Sequence, residues 1–99
     1  MPPITEKAFQ AQIVHLAKRY GYLVFHPLRM QGSTAGYPDL TLVHVTHGIL
    51  WVELKREDGR LTYAQMEWRD SILAAGGRHF VWKPSDLPEA AKVLSGETT

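Results

Sequence analysis

Asp39, Glu53 and Lys55 are the residues of this chain whose types and spacing offer chemistry. Asp39 follows Gly36-Tyr37-Pro38, and thirteen residues separate it from Glu53-Leu54-Lys55. All three lie in otherwise apolar, β-type sequence. A charge buried there loses its hydration and gains little unless it binds something. Two carboxylates brought close repel unless a cation lies between them. Mg²⁺ suits such a place, because it prefers oxygen ligands and is held by one or two carboxylates together with waters and phosphate oxygens. The Leu54 backbone carbonyl is a further candidate ligand. A lysine alongside can orient or activate a water and stabilise charge on phosphate, so the chemistry indicated is metal-assisted phosphodiester hydrolysis. The plainer alternative is a Lys55–Asp39 cross-strand ion pair at a sheet edge, worth little for stability.

The elements that must position these residues can be read in order. Thr5 is a candidate N-cap, and Phe9, Ile13, Leu16, Ala17 and Tyr20 recur on one face of a helix from Glu6 to Tyr20. Glu6 falls on that face, either as a partner of the helix dipole or as a residue pointing toward a site. Tyr22 to His26 reads as a strand ended by Pro27. The glycine-containing stretch Leu28 to Gly36, with Arg29 in it, reads as a loop. Two strands follow, Asp39 to Val45 and Ile49 to Lys55, joined by a turn at Thr46-His47-Gly48. Thr62 and Gln65 have capping-box spacing at the start of a second helix, which ends at Gly76-Gly77. Arg78 to Trp82 is a fourth strand. Ser85 is a candidate cap for a last helix, with Leu87, Ala90, Ala91 and Leu94 facing inward. The expected class is α/β: a mixed central sheet flanked by helices, in the order αβββαβ with an extra C-terminal helix.

Alternation points Glu53 and Lys55 to one face of their strand and Val52 and Leu54 to the other. If Val45 pairs with Ile49, Asp39 lies opposite Lys55 and projects from the same face as Glu53, diagonal to it.

At 99 residues the chain suits one domain with one core, taken as 1–99. A net charge of +1 confines any nucleic-acid contact to local patches. There is no cysteine, which removes disulfides, thiolate ligands and thiol nucleophiles. No apolar run reaches membrane-spanning length, and the first residues do not resemble a signal peptide. These features suggest a cytoplasmic protein with no membrane partner and no organic cofactor.

Pro38-Asp39 followed by Glu53-Leu54-Lys55, in this order of elements, resembles the PD-(D/E)XK nuclease superfamily. Within it the chain is most similar to the small VRR-NUC nucleases, some of them free-standing and encoded by phages or prophages. The likeness rests on Glu6 in the first helix, the Gly36 to Leu40 run, the Glu53-Leu54-Lys55 strand, and Gln65 opening the next helix. It covers about residues 5 to 83, leaving a C-terminal helix at about 85–95 outside the shared core. The resemblance implies Mg²⁺- or Mn²⁺-dependent cleavage of DNA, often of branched DNA such as Holliday junctions, by a homodimer in a bacterial or phage-infected cell. It places Glu6, Asp39 and Glu53 at the metal site, Lys55 with the attacking water, and Gln65 in support.

Other residues are weaker candidates. Arg29, Arg56 and Arg60 are placed to contact phosphate, and Tyr37 and Tyr63 to stack on unpaired bases or pack in turns. The five histidines lack metal-ligand spacing. Trp51, Trp68 and Trp82 read as core, with Trp82 also a candidate for a dimer contact. A nuclease acting on linear duplex DNA, a non-catalytic nucleic-acid-binding module and a metal-free interaction domain remain as rival readings.

Overall fold

A computed structural model of the protein describes residues 4–27 and 34–97. Its elements run α1 (Glu6–Arg19), β1 (Leu23–Phe25), β2 (Leu40–His44), β3 (Gly48–Leu54), α2 (Tyr63–Ala74), β4 (Arg78–Trp82), a short 3-10 turn at Pro84–Asp86, and α3 (Leu87–Ser95). The four strands form one sheet in the order β1-β2-β3-β4. The first three are antiparallel neighbours, and β4 returns parallel to β3 after the α2 crossover. The sheet is mixed, as expected.

Alternation along the strands sorts the sheet into two faces. Leu40, Leu42, Leu50, Val52 and Leu54 are fully buried, and they meet Phe9, Ile13 and Ala17 of α1 and Ala90, Val93 and Leu94 of α3. The last helix is therefore part of the core. Thr5 caps α1 by accepting the Ala8 N–H at 3.0 Å. Two inward placements are corrected. Tyr20 lies just past the helix and is exposed, and the core position near it is taken by Tyr22. Val93, which the helical reading left out, is buried, whereas Ala91 is only partly so. Ser85 is not the cap of the last helix: its backbone N–H and hydroxyl both donate to the Glu57 carboxylate, the hydroxyl at 3.0 Å. Asp86 instead accepts the Lys83 N–H at 2.9 Å, which closes the short turn ahead of α3.

The opposite face carries Thr41, Trp51, Glu53, His79 and Val81, and α2 packs over its β4 side. Among the described residues no helix is long and apolar enough to cross a membrane.

His79 on this face has a measurable consequence. Neither ring nitrogen has a hydrogen-bond partner among the described residues. Burial holds its pKa below the ordinary histidine value, and Arg69 lowers it further while Asp70 opposes. Unfolding returns the imidazole to a pKa of about 6.5. Between the lowered folded pKa and that value the unfolded chain binds more protons, so stability rises with pH across the window. The contribution is complete above about pH 6.5 and is lost as pH falls toward the folded pKa. The melting temperature should be flat near neutrality and decline as the pH falls below about 6.5. His79→Phe should remove most of that slope in a series of thermal melts, and an unchanged slope would rule His79 out as its source.

Candidate functional site

The site lies where β2 enters the sheet beside the end of β3. The hairpin register differs from the one expected. His44 pairs with Gly48 and Leu40 with Val52, so the ladder continues to place Asp39 opposite Glu53 and not opposite Lys55. The turn itself is the cause. His44 Nδ1 accepts the N–H groups of Thr46 and His47 at 3.0 and 3.1 Å, closing a turn over residues 45–47. Gly48, at φ 85°, provides the left-handed residue that such a three-residue connection needs. The slip is by two positions, so the faces are conserved and the cross-strand partner changes. The direct pair is now carboxylate against carboxylate, roughly 4.5–5.5 Å apart at Cβ for facing residues. This register does not produce the Lys55–Asp39 pair of the plainer alternative.

Both carboxylates are buried, Asp39 at 7% exposure and Glu53 at 1%. Asp39 Oδ2 accepts the Leu54 N–H at 2.7 Å. The strand geometry explains this bond. The Lys55 N–H reaches the Trp82 carbonyl on β4, so the Leu54 N–H, one residue back, faces the β2 side. There β2 has not yet begun, so no strand carbonyl faces this N–H, and Pro38, without an N–H, can return no ladder bond to Leu54. The Asp39 side chain takes the vacant ladder position. Lys55 follows Glu53 in phase at the end of β3 and is half-buried.

Two neighbouring segments hold this corner. In the turn at residues 34–37 the Tyr37 N–H reaches the Thr34 carbonyl at 3.4 Å, and Gly36 sits at φ 83° in the third position. Gly36 is pressed on the first turn of α2: a Cβ there would overlap the Ala64 carbonyl group and lie 2.8 Å from the Ala64 Cβ. The next residue along α2 is Gln65, buried, with the expected capping box complete. Its Oε1 accepts the Thr62 N–H at 2.9 Å, and its N–H donates to Thr62 Oγ1 at 3.1 Å. The cap fixes which way the carboxamide points, and the NH₂ group is the end with donors to give.

The remaining candidates divide. Glu6 lies at the angle of the buried stripe, but in the first turn, and its side chain is exposed. Among the described residues no three His, Asp or Glu side chains cluster tightly enough to hold one ion, so the structure does not gather Glu6 with the pair. Arg56 and Arg60 are exposed, and Arg56 pairs loosely with Asp58 at 3.4 Å. Arg29 lies outside the described residues. Tyr63 is 89% exposed and available to a partner, whereas Tyr37 is half-buried and held by its neighbours. Trp82 is buried in the core and does not form a surface contact. The sequence reading missed the links among Tyr37, Thr41, Trp51 and Trp68. The alternation that places Thr41 and Trp51 on the site face was the available signal.

A mixed αβββαβ sheet with two facing carboxylates and a lysine at the end of the third strand is the layout of the PD-(D/E)XK nuclease superfamily. The family model for the VRR-NUC domain matches residues 6–85, and the chain belongs to this family of nucleases, whose substrate is DNA. A solved structure described as a VRR_NUC domain protein has the same fold: its TM-score is 0.74 at 22% identity, with 97% of this chain and 89% of the other covered. No curated protein matches the chain.

Proposed function

We propose that this chain is a divalent-metal-dependent DNA endonuclease that hydrolyses phosphodiester bonds, prefers branched DNA such as a four-way junction, and works as a homodimer. The observation that carries the reading is the buried carboxylate pair, Asp39 facing Glu53 across adjacent strands, with Lys55 next in phase. The donors are oxygens on anionic groups, without sulfur or imidazole, and this set fits Mg²⁺ or Mn²⁺. Asp39, Glu53 and the Leu54 carbonyl would hold the ion, which when bound supplies Lewis acidity toward the phosphate and lowers the pKa of a water. Lys55 orients the attacking water and offsets negative charge as it builds on the phosphate oxygens. Gln65 supports the site, a part that rests on the family likeness, with its Oε1 held by the helix cap. Arg56 and Arg60, both exposed, hold flanking phosphates, and the sequence assigns Arg29 the same part.

The preference for branched DNA rests on the family likeness. The dimer has support in the fold: among the described residues β1 is an open sheet edge, with Leu23 and Phe25 74% and 58% exposed on the face that also bears Val43 and Ile49. A second copy on this edge would carry two sites to one DNA. End-labelled linear, flapped and four-way-junction DNA, each with EDTA, Mg²⁺ or Mn²⁺, tests the reading. Junction cleavage with either metal and none in EDTA is expected. No cleavage of any substrate would overturn the reading, equal rates on linear duplex would remove the junction preference, and a monomer in sedimentation with and without DNA would remove the dimer.

A further inference from the structure

We infer that Tyr37 is a positioning residue for Asp39; the inference rests on the nuclease reading above for its functional meaning. Contacts from three elements converge on this side chain. The Tyr37 hydroxyl lies 2.8 Å from Thr41 Oγ1 on β2. It also accepts the Trp51 indole N–H from β3 at 3.3 Å. The ring meets Trp68 of α2 edge-on, with centroids 4.9 Å apart, and Trp68 donates its own indole N–H to the Ala35 carbonyl at 3.2 Å. The turn before Asp39 is thus pinned to both central strands and to the crossover helix.

Only Pro38 stands between Tyr37 and Asp39. It is fully buried, its ring fixes its own φ, and it restricts the backbone of the residue before it. Few soft torsions therefore separate the phenol from the carboxylate, and a shift of Tyr37 is passed on to Asp39. At its other end Asp39 meets β3, where its Oδ2 accepts the Leu54 N–H. Releasing the phenol turns the carboxylate away from that amide and from Glu53. Tyr37 reaches no reacting atom in this arrangement and acts only through Asp39.

Tyr37→Phe keeps the ring against Trp68 and deletes the oxygen. The Leu54 amide reports on Asp39 whether or not the protein cuts DNA, so amide hydrogen exchange is the first measurement. Exchange at Leu54 should speed up by about five- to ten-fold, with Val52 on the same strand changing less than about two-fold. In wild-type protein that cleaves DNA, the variant should lose about ten-fold in kcat and in Mn²⁺ affinity by calorimetry, with KM for DNA nearly constant. A role in stability alone would lower the melting temperature and speed exchange at Leu54 and Val52 alike, leaving kcat and Mn²⁺ affinity in place. Unchanged Leu54 exchange overturns the inference even if the nuclease reading holds. Faster Leu54 exchange in a protein that cuts nothing supports the positioning of Asp39 and removes the nuclease reading instead.

Discussion

Asp39→Asn is expected to abolish metal-dependent DNA cleavage while leaving the fold in place. The substitution is chosen for what it preserves. Asp39 Oδ2 accepts the Leu54 N–H at 2.7 Å, and an asparagine carbonyl oxygen can accept the same bond. Alanine at this position would leave a buried donor unsatisfied, at about 1–3 kcal/mol, and a loss of activity would then be mixed with a loss of stability. Asparagine removes the negative charge and keeps the size of the side chain. Losing one charged ligand of two weakens the hold on a hard cation that prefers carboxylates. Losing a preorganised electrostatic contribution to phosphate chemistry lowers the rate by about 10²- to 10³-fold, and the two effects compound at sub-saturating metal. Initial rates on a labelled junction across a Mn²⁺ titration measure both. Calorimetry on the same protein should show Mn²⁺ affinity falling by at least about ten-fold. Lys55→Met separates the proposed roles: about a 10²- to 10⁴-fold lower rate with Mn²⁺ affinity close to wild type is expected of a lysine that serves the water and not the ion. If both variants cut at wild-type rates, the carboxylate pair is not the catalytic centre.

Most of the elements were legible because their signals are local. Thr5 and the Thr62–Gln65 box cap their helices as the spacing implies, since a cap involves residues three apart in sequence and little else. The common face of Asp39, Glu53 and Lys55 was legible for a different reason. Strand alternation has period two, and a register error of two positions leaves every face intact. The pairing within that face was not legible. It depends on the His44 ring accepting two amides of the turn, which no strand or turn propensity encodes. Burial at helix ends was also beyond reach: Tyr20 and Glu6 both satisfy the periodicity of α1 and both are exposed, and Tyr22, past the helix, takes the core position near Tyr20. The brace around Tyr37 joins residues 35, 37, 41, 51 and 68, and its Trp68 contacts exist only once α2 has crossed over the sheet.

That dependence on α2 makes Gly36 the other position where one substitution should have a large effect. Gly36→Ala has two costs that can be separated. The residue sits at φ 83°, a conformation that costs an L-residue about 1–2 kcal/mol. Its Cβ would also meet the carbonyl group and Cβ of Ala64, atoms of a helix that cannot yield as a flexible side-chain tip would. Forcing an extra group into a close-packed contact typically adds about 1–3 kcal/mol. The sum, about 2–5 kcal/mol, predicts a melting temperature lower by roughly 8–40 °C for a domain of this size. Gly48→Ala is the matched control. Gly48 has nearly the same φ, 85°, and nothing within 4 Å of the added carbon, so it should show the backbone cost alone. The two variants should also differ in function. Gly36 lies three residues before Asp39, and the atoms it would push aside belong to the residue before Gln65, so relief of the clash must move the Asp39 loop, the α2 cap, or both. Assayed well below its melting temperature, Gly36→Ala should therefore lose cleavage by about ten-fold or more, as supporting contacts to metal ligands do. Gly48→Ala, at the far end of the hairpin, should cut at the wild-type rate. Equal melting temperatures for the two variants would mean that the turn and α2 can part without penalty, and that the seat of Gly36 on Ala64 does not hold the site together.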